Sequence, residues 1–180
     1  MPQRGLKLFA EESEVPDAPG LHVGRQDAFD APRCIRITIN QDPRAAFRHQ
    51  LIIGDRQGEP WTVGVRDPRH KDGVAVLLPL IDTAVSTSGD YERFFEKDGV
   101  RYHHILDPET GNSARGSLSV TIIGPNATLT DALSTTVFVM GPEKGLKLIN
   151  AIEGVDAIII TEAGHMLYSE SLTPLTQTAR

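Results

Sequence analysis

Short runs in which apolar and polar residues alternate, or in which β-branched residues cluster, recur along most of the chain. An alternation of period two is typical of a strand with one buried face, and compact apolar runs bounded by turn residues are typical of buried strands. Gly58-Glu59-Pro60 separates two of these runs as a turn. The predicted strands are 34–40, 49–54, 61–65, 73–80, 83–88 and 117–123.

Two further pairs of runs predict hairpins. Residues 91–97 and 100–106 are separated by Asp98-Gly99, a dipeptide typical of a two-residue hairpin turn. Near the C-terminus, "DAIIIT" and "HMLYSES" flank Glu162-Ala163-Gly164, which predicts a closing hairpin.

The period changes to that of a helix in two consecutive segments. Residues 130–141 have Thr128 and Thr130 as candidate N-caps and end at Gly141-Pro142. Residues 142–154 place Pro in the first turn, apolar side chains on one face and Gly154 beyond the end. The apolar face consists of Leu146, Ile149 and Ile152. Many strands, evident hairpins and two helices predict an α+β fold with a largely antiparallel sheet.

The first 33 residues differ from the rest of the chain. They contain Pro, Gly and acidic residues without a sustained period, and we expect a loosely ordered N-terminal arm or remnant, with the folded region at 34–180. They include no apolar signal-peptide core or lipobox, so the chain as written is expected in the cytoplasm, with the compartment left open.

Charge and cysteine content narrow the function classes. The formal net charge is −6 and Lys and Arg are scattered, which disfavours a nucleic-acid groove or an anionic membrane surface. Cys34 is the single cysteine, so no intrachain disulfide is expected, and we interpret it as a buried or edge-strand thiol.

Three segments carry polar residues that allow more than one interpretation. Residues 86–91 combine small hydroxyls with Gly89, which suits either an anion cradle or a strand that ends in a tight turn with Asp90 satisfying backbone donors. Residues 107–111 have the composition of a β-turn, but His103 and His104 beside them are not explained by a turn. Neighbouring strand residues face opposite sides, so one histidine of the pair is a candidate general base.

The third segment is 131–136. On a helix, Asp131 and Thr135 lie one above the other and offer two hard oxygen ligands of the kind that Mg²⁺ prefers. The alternative is an acid that interacts with the helix dipole in the first turn, next to an ordinary surface threonine.

Taken in order, these motifs resemble the C-terminal part of the ApbE family. "STSGDY", "HILDPETG", the strand "SVTII" and the helix "DALSTTVFVMGP" follow one another with the spacing of that family, over roughly residues 60–175. The resemblance implies a T-fold-like core and a flavin transferase. Such an enzyme moves the FMN part of FAD to a Thr or Ser hydroxyl of an acceptor flavoprotein and releases AMP.

The resemblance also implies roles for individual residues. Asp131 and Thr135 match the magnesium ligands, and His104 matches the catalytic position. The positions that fall in FAD-lining segments are Ser88, Gly89, Asp90, Asp107, Thr110 and Gly111.

A further segment of the family, Gly-Gly-x-x-Lys-Gly-like, is not found in residues 1–57. We therefore expect an incomplete or partner-dependent form, either as a homo-oligomer or with a partner that carries the missing N-terminal half. Three alternatives remain open: a non-catalytic FAD- or AMP-binding module or decayed family member, a serine hydrolase that uses Ser88, His104 and an acid, and a structural subunit. The G-x-S-x-G elbow of such hydrolases is absent around Ser88.

Overall fold

The structure is a computed structural model that describes residues 35–39, 48–55, 58–70 and 73–172. The predicted arm 1–33, its boundary with the folded region and Cys34 lie outside these residues. The strands are β1 (Ile35–Ile39), β2 (Arg48–Ile53), β3 (Trp61–Arg66), β4 (Val74–Leu80), β5 (Thr83–Gly89), β6 (Phe94–Lys97), β7 (Val100–His103), β8 (Ser117–Gly124), β9 (Asp156–Thr161) and β10 (Met166–Tyr168). The helices are α1 (Ala127–Met140), α2 (Pro142–Asn150) and a short 3₁₀ turn, Glu170–Leu172.

Within the described part of the chain, one sheet has the strand order β1-β2-β5-β8-β9-β10, and each neighbouring pair is antiparallel. The pairs β3–β4 and β6–β7 form separate two-stranded ribbons. The α+β class with a largely antiparallel sheet and two consecutive helices is thereby confirmed. Neither α1 nor α2 is long and apolar enough to cross a membrane.

The two faces of the main sheet bury separate apolar clusters. Because strand side chains alternate between faces, Ile123 and Ile158 join a cluster with the β3–β4 ribbon, whereas Ile122 and Ile159 join a cluster under the helices. The helix-side cluster includes Phe138 of α1. The sheet is therefore the middle layer between a ribbon on one side and two helices on the other.

The turns follow the local sequence. Asp98 and Gly99 both have positive φ (52° and 75°), and Lys97 pairs with Val100 across them, as expected for a two-residue hairpin. Glu162-Ala163-Gly164 closes the β9–β10 hairpin. Both hairpin predictions are confirmed.

The beginning of α1 differs from the prediction. The N-cap is Asn126, whose side chain accepts a hydrogen bond from the Leu129 N–H, and the helix begins at Ala127. Thr128 and Thr130 therefore lie inside the helix. Asp131 falls in the second turn, so an interaction with the helix N-terminus does not explain it.

The second helix is shorter than predicted. It ends at Asn150, because the chain turns through Ala151, and Ile152 packs against the helix-side cluster from beyond the helix end. The predicted Pro142 in the first turn is confirmed.

Candidate functional site

The end of β5 lies directly against α1. Ala84, Ser86 and Ser88 are buried on the face of β5 that meets the helix, and their small side chains allow a close approach. The hydroxyl oxygens of Ser86 and Thr130 are 2.8 Å apart. The Ser88 hydroxyl oxygen lies 2.9 Å from that of Ser134 and 3.1 Å from that of Thr135. Hydroxyl pairs thus join this strand to the helix.

Ser88 has no role as a hydrolytic nucleophile in this arrangement. Its side chain is only 1% exposed, and its hydroxyl is bonded to Ser134 and Thr135 rather than to a histidine. A serine nucleophile needs a hydrogen-bonded base and an exposed oxygen. The geometry therefore argues against the serine-hydrolase alternative.

Gly89 and Asp90 follow at the strand end. A Cβ at Gly89 would lie 2.5 Å from Cε1 of Tyr91, so glycine is needed for the tyrosine ring to fold back. Asp90 is buried, its N–H donates to the Leu118 carbonyl, and its carboxylate lies 3.4 Å from Nη1 of Arg101. Burial raises the pKa of the Asp90 carboxyl, and the Arg101 guanidinium opposes that shift.

His103 is the last residue of β7 and His104 follows it directly, and the two side chains face different surroundings. His103 is buried, and its Nε2–H donates to the Ala114 carbonyl at 2.9 Å. Its backbone N–H donates to Ser113 Oγ, and the Ser113 hydroxyl donates back to the His103 carbonyl. The ring edge meets Phe138 with centroids 5.5 Å apart. Burial lowers the pKa of His103, so its imidazole is held neutral.

His104 is half-buried, and the backbone carbonyl of Arg93 contacts both its N–H and its ring. The His104 N–H donates to the Arg93 carbonyl at 3.1 Å, and Nδ1 lies 3.3 Å from the same oxygen. A carbonyl only accepts, so Nδ1 carries the hydrogen and Nε2 carries the lone pair of the neutral ring. This tautomer makes Nε2 the basic atom of His104.

Residues 107–111 form the predicted turn. The Asp107 carboxylate accepts from the Glu109 N–H, the Gly111 N–H donates to the Asp107 carbonyl, and Gly111 has φ of 69°. Thr110 Oγ1 accepts from the Asn112 N–H. Among the described residues, the hydrogen bonds of Asp107, Thr110 and Gly111 stay within residues 107–112. Thr110 and Gly111 are exposed, so any ligand contact with them takes place at the surface.

Asp131 and Thr135 lie one turn apart on α1, and both are half-buried. The Thr135 hydroxyl meets β5 through Ser88, so it is not the ordinary surface threonine of the alternative interpretation. No group of three or more His, Cys, Asp or Glu side chains that could hold a metal occurs among the described residues. Any metal here needs additional ligands.

The structure thus brings Ser88, Thr135 and the Asp131 turn of α1 together. Sequence reasoning missed the partner side chains that make this possible. The missed residues are Thr130 and Ser134 on α1, Arg101 beside Asp90, and Ser113 beneath His103. The four-residue spacing of Thr130 and Ser134 was a signal that both lie on one helix face.

Comparison with known proteins identifies the family in which these motifs occur. Residues 49–159 match the ApbE family. The chain belongs to the ApbE family. The predicted resemblance to its C-terminal part is confirmed, since the chain aligns with only part of each relative.

Two curated relatives are each named FAD:protein FMN transferase. The Treponema pallidum protein is 52% identical over 103 residues, which cover 56% of this ApbE chain and 28% of the relative. The Escherichia coli K12 protein is 37% identical over 158 residues, which cover 82% of this chain and 45% of the relative. The chain therefore spans less than half the length of these relatives.

Solved structures agree with the fold. The ApbE protein of Thermotoga maritima is 49% identical with a TM-score of 0.63, covering 68% of this chain and 40% of that one. The apo flavinyl transferase ApbE of Pseudomonas stutzeri is 35% identical with a TM-score of 0.56, covering 68% and 39%. Each of these structures thus shares its architecture with about two thirds of this chain.

Proposed function

We propose that this chain carries the metal- and flavin-handling part of a FAD:protein FMN transferase. The reaction is Mg²⁺-dependent transfer of the FMN moiety of FAD to a Thr or Ser hydroxyl of an acceptor flavoprotein, with release of AMP. The observation that carries the proposal is the contact between the hydroxyl-rich end of β5 and the helix turn that bears Asp131 and Thr135. The names of the relatives support the same activity.

The donor atoms fit Mg²⁺. Asp131 supplies a carboxylate and Thr135 a hydroxyl one turn away, and such hard oxygens suit this ion. The remaining ligands would come from water, substrate phosphates or groups beyond the described residues. A bound Mg²⁺ would neutralise charge on the diphosphate of FAD.

His104 is the proposed general base. With Nδ1–H donated to the Arg93 carbonyl, Nε2 would take the proton of the acceptor hydroxyl once the substrate reaches this nitrogen, which is buried in the structure. The hydroxyl oxygen forms a bond to the FMN phosphorus, and the bond from that phosphorus to the oxygen of AMP breaks with its electron pair. In such transfers most of the catalytic effect comes from positioning and charge stabilisation, so the carbonyl that orients His104 matters for the rate.

The flavin-lining positions divide into two groups. Ser88, Gly89 and Asp90 are buried and form the wall behind the site, whereas Thr110 and Gly111 are exposed at the turn and available to the substrate. Asp107 shapes that turn through its carboxylate.

A thermal-shift experiment tests the metal part of this proposal. With Mg²⁺, ADP or FAD at 100 times its Kd should stabilise the 180-residue chain by about 2.7 kcal/mol, and the resulting rise in the thermal midpoint should be smaller with EDTA. Thr135→Val and Asp131→Asn should each remove the Mg²⁺-dependent part of the stabilisation by ADP or FAD.

Thr136→Val is the matched control, because Thr136 is exposed and its hydroxyl donates to the Ala132 carbonyl of its own helix. It should retain the full Mg²⁺ effect. An undiminished Mg²⁺ effect in both Thr135→Val and Asp131→Asn would exclude this site.

Turnover is expected to require more than this chain. Because it spans less than half of its relatives, we propose that activity depends on self-association or on a partner with the missing half. The chain incubated with FAD, Mg²⁺ and an acceptor peptide should give little flavinylated peptide, and light scattering should detect an assembly. Rapid flavinylation by a monomer would contradict this, and FAD binding without AMP release under every condition would favour a non-catalytic binding module.

A further inference from the structure

We propose that Ser88 is a positioning residue that fixes both the χ1 rotamer of Thr135 and the direction of its hydroxyl hydrogen, and thereby prepares the Thr135 oxygen to bind a cation. The inference rests on the proposed metal role of Thr135. It starts from three contacts: Ser88 with Ser134 at 2.9 Å, Ser88 with Thr135 at 3.1 Å, and Ser134 Oγ with the Asp131 carbonyl at 2.9 Å.

The order of the hydrogens follows from counting donors, since each hydroxyl has one hydrogen. The Asp131 carbonyl can only accept, so Ser134 donates its hydrogen to that carbonyl. Ser134 must then accept from Ser88, which uses the hydrogen of Ser88. Ser88 must in turn accept from Thr135. One direction satisfies all three contacts: Thr135 to Ser88, Ser88 to Ser134, and Ser134 to the helix backbone.

This order matters because a neutral hydroxyl binds a cation through a lone pair, and a hydrogen directed at the ion would repel it. With its hydrogen committed to Ser88, the Thr135 oxygen keeps its lone pairs for other contacts. Ser88 is 1% exposed, so bulk water does not replace it as the acceptor.

Thr135 also differs from other hydroxyl residues of α1. Thr130 donates to the Ala127 carbonyl, Ser134 to the Asp131 carbonyl and Thr136 to the Ala132 carbonyl, which is the usual behaviour of Ser and Thr inside a helix. Within the described residues, the hydroxyl hydrogen bond of Thr135 goes to Ser88 across the strand–helix boundary instead. Removal of Ser88 takes away this acceptor, so the Thr135 side chain should no longer be held in one rotamer.

Ser86 provides the matched control. It is buried on the same face of β5, two residues earlier, and its hydroxyl pairs with Thr130 at 2.8 Å rather than with Thr135. Ser86→Ala therefore removes the same atom from the same strand–helix boundary without touching the Ser88–Thr135 contact.

The test compares Ser88→Ala with Ser86→Ala in the full chain. The first measurement is the χ1 rotamer of Thr135 from NMR scalar couplings without metal, and the second is Mn²⁺ affinity in the presence of ADP. We expect Ser88→Ala to change or average the rotamer and to weaken Mn²⁺ binding about tenfold, as is typical for residues that orient a metal ligand. Ser86→Ala should leave the rotamer unchanged and Mn²⁺ affinity within about twofold of wild type, below the typical effect of losing an orienting residue.

The outcomes separate this inference from the proposed function. If the wild-type chain does not bind Mn²⁺, the metal proposal fails, and the rotamer alone then decides the role of Ser88. A wild-type Thr135 rotamer in Ser88→Ala, or equal Mn²⁺ affinity in Ser88→Ala and Ser86→Ala, overturns the inference.

If Ser88→Ala does not fold, Ser134→Ala decides. Without Ser134, the Ser88 hydrogen is redirected to the Thr135 oxygen, so Mn²⁺ binding should weaken by a similar factor while the Thr135 rotamer is retained. Wild-type Mn²⁺ affinity in Ser134→Ala would overturn the inference. If the wild-type chain does not bind Mn²⁺, a changed Thr135 rotamer in Ser134→Ala would overturn the inference.

Discussion

Replacement of His103 by Ala should destabilise the fold in a way that depends on pH. The imidazole is 5% exposed, donates Nε2–H to the Ala114 carbonyl at 2.9 Å and meets the Phe138 ring edge-on. Removal of the ring leaves the Ala114 carbonyl buried without this donor, at a cost of about 1–3 kcal/mol. The lost aromatic contact adds about 0.5–1.5 kcal/mol.

The expected loss is thus about 1.5–4.5 kcal/mol in the free energy of unfolding at pH 8, a substantial part of the stability of a typical domain. For a chain of this size, that corresponds to a fall in Tm of about 3–18 °C. Ser113→Ala should reproduce part of the loss, because the Ser113 hydroxyl bonds to both the N–H and the carbonyl of His103.

The pH dependence follows from the buried ring. Burial holds the pKa of His103 below its ordinary value of 6.5, so the unfolded chain binds a proton that the folded chain resists. Stability from this group is therefore present above pH 6.5 and is lost as the pH falls through the folded-state pKa. Since His103→Ala lacks the group, the difference in unfolding free energy between wild type and variant should shrink on acidification.

Urea unfolding at pH 8, 7, 6 and 5 measures this difference. Taking the difference between wild type and variant also cancels the contribution of Asp90, which both proteins contain. The raised pKa of Asp90 makes the free energy of unfolding fall as the pH rises above 3.8, opposite to the effect of His103. His165→Ala, in the exposed β9–β10 turn, controls for loss of an imidazole and should cost less than about 0.5 kcal/mol. A loss below about 1 kcal/mol at pH 8 would fall short of the cost of one unpaired buried group and refute the reasoning, as would a difference that grows on acidification.

Three glycine substitutions test the packing around the site. Gly89→Ala should cost about 1–3 kcal/mol in urea unfolding, because the new Cβ would lie 2.5 Å from the Tyr91 ring. Gly145→Ala should also destabilise the fold, because its Cβ would lie 2.6 Å from Cγ1 of Val137. Alanine favours helices over glycine by about 1 kcal/mol, so a more stable variant would contradict the close approach of α1 and α2. Gly99→Ala, with φ of +75° and open space around it, should cost about 1–2 kcal/mol from backbone strain alone, and an unchanged Tm would argue against this turn geometry.

The features that the sequence predicts correctly depend on neighbouring residues. Asp98-Gly99 specifies its hairpin because both positions accept positive φ, and Asp107 to Gly111 specify their turn through local hydrogen bonds. The alternation of strand residues predicts that His103 and His104 face different surroundings. It does not tell which one is buried, since that depends on Phe138 in a helix much later in the chain.

The features that the sequence does not predict depend on long-range contacts. Ser88 and Ser134 are 46 residues apart, and they meet because β5 pairs with β8 and α1 then crosses over both strands. The N-cap differs from the prediction for a local reason. Thr128 and Thr130 have the side chains of N-caps, but Asn126 is an equally good cap, and the helix that begins after it includes both threonines.

The alternation along β5 also has a consequence for how the site arises during folding. Ser86 and Ser88 meet the helix, whereas Val85 between them packs in the opposite apolar cluster. A slip of one residue against β8 would exchange these faces, so that Val85 would meet the helix hydroxyls and the serines would enter the ribbon-side cluster. Chains trapped in such a misaligned state would lack the proposed cation site. Recovery of Mn²⁺ affinity during refolding would therefore measure correct strand alignment, independently of the recovery of secondary structure.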